Sequence, residues 1–207
     1  MRAGMPMLAR GITAVVALGI GAGLAHPAKA QVAWDAPFLV PPRVGSGWGL
    51  ALLDPAGGDL GVLGFWRGRG GSLGIRGGLA EERNDDLAAF AGMDLSGSLA
   101  RRSSNMPVDV DWIAGVGLGV GDEILFSIPF GVTIGAAISM ETVALGPYVS
   151  PRLILDAWTG DDRPRDGLDL ELAVDLGLDV AFNPGWTLRF GATLGDREAL
   201  AVGFAIH

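Results

Sequence analysis

At 207 residues the chain is long enough for one domain with a real core and too short for two comfortable ones. It has no Cys, so no disulfide holds it, and its 34 Gly follow no three-residue period, which excludes collagen. The single Lys and two of the Arg fall before residue 31, leaving 12 Arg against 23 Asp and Glu. That net charge of −11, without a basic stripe, argues against nucleic acid and against charge-driven binding to anionic surfaces.

Residues 1–30 have the organisation of a secretory leader. Arg2 and Arg10 give a basic start, Gly11 to Ala25 an apolar stretch, and Ala28-Lys29-Ala30 a small-residue cleavage site after the break at His26-Pro27. About 15 apolar residues fall short of the roughly 20 that a spanning helix needs, so a membrane anchor is the weaker reading. Residues 31–45 form an irregular lead-in, because Pro37, Pro41 and Pro42 cannot sit inside a paired sheet.

From residue 46 to the end the chain alternates. Ser46 to Leu53 sets Trp48, Leu50 and Leu52 against Gly47, Gly49 and Ala51, and Asp54-Pro55-Ala56-Gly57-Gly58 is a turn. A less regular strand follows from Asp59 to Arg67, then one carrying Leu73, Ile75 and Leu79, then a soft Ala- and Gly-rich one from Leu87 to Leu99. Val108 to Val120 is regular again, and Gly121-Asp122 gives a tight hairpin into Ile124 to Ile134. The next strand runs from Val143 to Leu155. Leu168 to Phe182 is the clearest of all, with every second residue apolar and Asp, Glu, Ala and Gly between. Trp186 to Leu194 and Leu200 to Ile206 complete a count of ten strands, with eight as the competing count because the second and third are irregular.

Alternation alone also fits a soluble lipocalin-like carrier of an apolar ligand, with its apolar face inward. The second face decides between them. It holds Gly, Ala, Ser, Asp and a few Arg, and no Lys, where a water-facing surface should show long polar residues. Small residues suit a narrow, crowded lumen, and the uncharged Leu, Val, Ile, Phe and Trp face suits lipid. The expected fold class is therefore all-β, a closed antiparallel transmembrane β-barrel over residues 46–207, since unpaired backbone in hydrocarbon costs several kcal/mol per group. Trp48, Trp66, Trp112, Trp158 and Trp186 stand near strand ends, where an aromatic girdle would lie. Pro129, Pro147 and Pro151 oppose a perfect sheet, and are expected beyond the hydrocarbon band or at a bulge, leaving a weak seam.

On the leader, the alternating strands and the last strand with Leu200, Val202, Phe204 and Ile206, the chain resembles the small bacterial outer-membrane β-barrel proteins of the opacity-protein type. Members usually end in an aromatic residue that the assembly machinery reads, whereas here Phe204 stands three before the terminal His207. The resemblance implies an outer-membrane location, with the lipid bilayer and that machinery as partners. An even strand number is expected to return both termini to the periplasm, with the charged loops near Glu81–Asp86 and Thr159–Gly167 outside.

Lumen charge is expected at Arg76, Asp94, Asp109, Asp111, Arg152, Asp169, Glu171, Asp175, Asp179 and Arg189, with the Arg pairing the acids. Asp109 with Asp111, and Asp169 with Glu171, each share a side and could hold a hard cation or act as an acid–base pair, but Arg pairing is the preferred reading. The acids Asp161, Asp162 and Asp166 lack calcium-loop spacing, and Gly115-Val116-Gly117-Leu118-Gly119 alternates within a strand rather than opening a helix. Past the leader the only His is His207, so a Ser–His centre, a zinc site or a haem site is not expected. No cofactor, no metal and no catalysis are expected: the chain reads as a structural barrel or a narrow passive passage. Ligand and oligomeric state leave no trace in the sequence.

Overall fold

The computed structural model describes residues 32–35, 37–43, 45–82, 86–159, 167–183 and 185–207. The leader and the loop residues Asp161, Asp162, Arg163, Arg165 and Asp166 lie outside the described residues.

Period-two sequence becomes strand throughout. The elements are β1 (Gly47–Asp54), β2 (Gly58–Arg67), β3 (Leu73–Glu82), β4 (Leu87–Ala100), β5 (Asp109–Val120), β6 (Ile124–Gly135), the two-residue β7 (Ile138–Ser139), β8 (Ala144–Thr159), β9 (Gly167–Asn183), β10 (Trp186–Gly195) and β11 (Ala199–Ile206). Neighbours pair antiparallel, β1 also pairs with β11, and β6 pairs with β8, so ten long strands close into a barrel. β7 lies against the start of β8 in the β6–β8 connection. The irregular second and third segments are separate strands. A register shift between Gly58 and Gly61 puts Asp59 and Leu60 outward in succession, which breaks the alternation there.

The apolar parity faces out. Leu170, Leu172 and Leu176 are 60%, 54% and 44% exposed, while Glu171 and Asp175 between them are buried. A carrier needs the reverse. Between the strand ends the outward positions of all ten strands carry no charged residue.

Trp48, Trp66, Trp112 and Trp186 lie on this outer wall at one end, the end where β1 begins and β11 finishes. Trp48 sits 6.2 Å from Trp66, and Trp186 stacks on Phe182 at 4.7 Å. Trp158 corrects the expected girdle. It shares parity with Arg152, Ile154 and Asp156, and at the opposite end it packs against the inner cluster of Ala33, Leu125 and Ala199.

The lead-in forms no long strand, and its described residues, 32–35 and 37–43, run through the lumen of the barrel. Ala33 N–H donates to the Ala56 carbonyl in the β1–β2 turn (3.2 Å), and the Arg43 guanidinium meets Asp109 at the other end (3.1 Å). An even strand number does bring the start of β1 and the end of β11 together. The described chain begins at Val32, on the far side from His207, and the residues before it lie outside the described residues. Trp34, Phe38, Leu39 and Val40 fill the core of the barrel. Small residues line the wall because this segment lies on them: a Cβ on Gly92 would come within 2.2 Å of the Trp34 ring, and one on Gly117 within 2.6 Å.

The prolines sit within β6 and β8 with the register unbroken, so no bulge accommodates them. Their mark is missing ladder pairs. Val132 and Thr133 have none with Pro151 and Ser150, and Gly115 and Val116 have none with Pro129 and Ile128. A proline has no N–H to give, and the Thr133 and Ser150 hydroxyls bridge one gap at 2.9 Å. A lost backbone bond is worth about 1 kcal/mol, so amides flanking the gaps in β5, β6 and β8 should exchange several-fold faster than those of β9–β11. Hydrogen exchange on the folded protein checks this, and uniform protection would contradict it.

Candidate functional site

The inward parity of β8, β9 and β10 brings together a buried ionic cluster around Asp35, which the internal segment supplies. Arg152 (β8) donates from Nε and Nη2 to Asp175 (β9) at 2.8 and 3.0 Å, and from Nη1 to Asp35. Thr193 (β10) adds a hydroxyl bond to Asp175 at 2.7 Å. Arg197, in the β10–β11 turn, donates to Glu171 at 2.8 Å and also to Asp156 and Asp35. Asp35 thus joins two wall arginines, each of which holds a wall carboxylate as well. The fork of a guanidinium makes such shared pairing possible.

Halfway round the wall, Asp94 (β4) accepts from Arg67 at 2.6 Å and from Arg76 at 3.1 Å. The Arg76 guanidinium lies 4.6 Å over the Phe38 ring, and that of Arg152 lies 5.2 Å from the same ring on its own side of the lumen. Phe38 is therefore held between two cations, which its ring face attracts.

The mouth on the side of His207 is different. Asp109 and Asp111 (β5) meet Arg43 and Arg101, with 2.8 Å between Arg101 and Asp111. Arg189 (β10) meets Asp179 (β9) at 3.4 Å. A cavity of about 400 Å³ opens here between the internal segment and the wall, lined by Pro41, Pro42, Arg43, Pro147, Arg189 and His207 among others. His207 shares a 3.0 Å hydrogen bond with the Thr187 hydroxyl, and Thr187 is itself buried.

Of the ten residues expected to carry lumen charge, nine lie on the inner wall and meet opposite charge there. Asp169 differs in position. It is on the inward parity but at the open end of β9, exposed, where it accepts from the Leu170 N–H at 3.0 Å. Glu171, two residues on, pairs with Arg197, in keeping with the preferred reading of arginine pairing. Among the described residues no three His, Cys, Asp or Glu are placed to hold a metal ion. Sequence reasoning missed Asp35, Arg67, Asp156 and Arg197. Asp156 could have been found by its parity with Arg152, and Arg67 by its place at the end of an alternating stretch. Nothing local marks Asp35 or Arg197.

No family model matches the chain, and no curated protein matches it. Among solved structures it is similar to a chain described as "De novo design of transmembrane beta-barrels", at 13% identity and a TM-score of 0.36, covering 79% of this chain and 97% of that one. At that level the likeness bears no weight, and the functional reading rests on this chain's own residues.

Proposed function

We propose that the barrel spans an outer membrane as a non-catalytic protein, structural or serving as a narrow passage for small cations. The observation that carries this is the outer wall: a closed ring of exposed Leu, Val, Ile, Phe and Trp with no charge between the strand ends, ending in four tryptophans at one rim. Hydrocarbon solvates such a face, and water does not. The lumen supports the rest. It is packed with paired charge and the internal segment, which leaves no room for a wide channel. Acids exceed arginines along it, which favours cations over anions.

Val202→Arg tests the membrane reading. Val202 stands at the middle of β11 and is 54% exposed. In a bilayer an outward Arg at that depth costs about 2–4 kcal/mol. On a water-facing surface the same change would stay within about 0.5 kcal/mol. Reversible denaturant unfolding in lipid vesicles reads the difference, and the smaller value would favour the soluble carrier.

A further inference from the structure

We propose that residues 32–40 are a displaceable plug, and that the barrel conducts small ions only when this segment withdraws toward the mouth lined by Arg43 and His207. The proposal rests on the passage reading above and says how that passage is closed.

The wall is complete without the segment. Ten strands close on one another, and among the described residues a single backbone–backbone hydrogen bond, Ala33 to Ala56, ties the segment to them. Pro37, Pro41 and Pro42 keep it from becoming an eleventh long strand.

The charges are arranged so that withdrawal strands none of them in the wall. Asp35 is the acid that enters the ionic cluster from the segment. If it leaves, Arg152 keeps Asp175, and Arg197 keeps Glu171 and Asp156. Asp35 itself passes into water, where an ionised carboxylate is well solvated. Had either arginine depended on Asp35 alone, opening would leave a bare cation in a narrow lumen, and the segment would be a permanent part of the core.

Backbone conformation points the same way. Leu39, inside the segment, is held at φ of +48°, the left-handed region that L residues with side chains avoid, and leaving the lumen relieves it. There is also somewhere to go. The 400 Å³ cavity already reaches from the His207 mouth to Arg189 and Asp179, so residues 32–40 block the remaining length. Against all this stand Trp34, Phe38, Leu39 and Val40, whose burial makes the closed form the resting one.

The chain has no cysteine of its own, which permits a clean lock. Ala33→Cys with Ala56→Cys places two thiols across the hydrogen bond that anchors the segment, within reach of a disulfide. Asp35→Lys sets like charge against Arg152 and Arg197, and Asp35→Asn removes the charge with little change of shape. In planar bilayers with potassium chloride, the wild type should open rarely. Asp35→Lys should raise the open fraction at least tenfold, and Asp35→Asn severalfold if the lysine variant does not fold. Oxidation of the cysteine pair in the same background should abolish openings, and reductant should restore them. A locked protein that conducts as the reduced one does would overturn the plug, as would inserted Asp35 variants that conduct no more than the wild type. Failure of the wild type to enter vesicles at all would instead sink the membrane reading, and this proposal with it.

Discussion

Arg152→Met should lower the stability of the folded barrel by about 3–5 kcal/mol, the range for breaking a buried ion pair by removing one partner. The guanidinium is fully enclosed, grips Asp175 with two of its nitrogens and meets Asp35 with the third. Methionine fills much the same space, so the loss is electrostatic rather than a cavity. Two carboxylates are then left in the lumen, with Thr193 as the remaining bond to Asp175 and Arg197 as the remaining cation for Asp35. Arg152→Lys keeps the charge but cannot span both acids with a fork, and should fall between the two. Denaturant unfolding in vesicles, followed by tryptophan fluorescence, gives the numbers. A loss under about 1 kcal/mol for the methionine variant would mean that the cluster is hydrated rather than closed.

Strands were legible because a closed sheet gives every residue one of two environments, and the sequence obeys that division. Leu168 to Phe182 shows it best: the alternation reads directly onto β9, Gly167–Asn183, with Glu171 and Asp175 inside. Parity also places Arg152 on the face of Asp175 and Arg189 on that of Asp179. Which acid meets which arginine, though, depends on register, and register lies in the pairing of distant strands. Arg189 sits directly across from Asp179, whereas Arg152 is opposite Ala173 and reaches Asp175 along the diagonal. The occupant of the lumen was not legible at all. Residues 32–43 have no period, and their partners lie as far as 162 residues away, as in the bond from Arg197 to Asp35. The glycines of β4 and β5 announced that something must fit against them. They could not say that it was Trp34.

That fit predicts a coupling. Trp34→Ala removes a fully buried indole and should cost about 3–5 kcal/mol, the usual range for an aromatic cut to alanine in a packed interior. Gly92→Ala is destabilising for the opposite reason, since the three atoms nearest its new Cβ, from 2.2 to 2.6 Å, all belong to the Trp34 ring. With the indole gone, that methyl group enters the space the ring has left. The double variant should therefore be more stable than the sum of the two losses allows, by about 0.5–3 kcal/mol. Gly64→Ala serves as the control, because its Cβ would meet nothing closer than 3.7 Å and should show no coupling to Trp34. All five variants, the Gly64→Ala/Trp34→Ala double included, can be compared by unfolding in the same vesicles. Strict additivity between Trp34 and Gly92 would mean that the indole does not rest on β4, and a segment that does not rest on the wall cannot close the lumen.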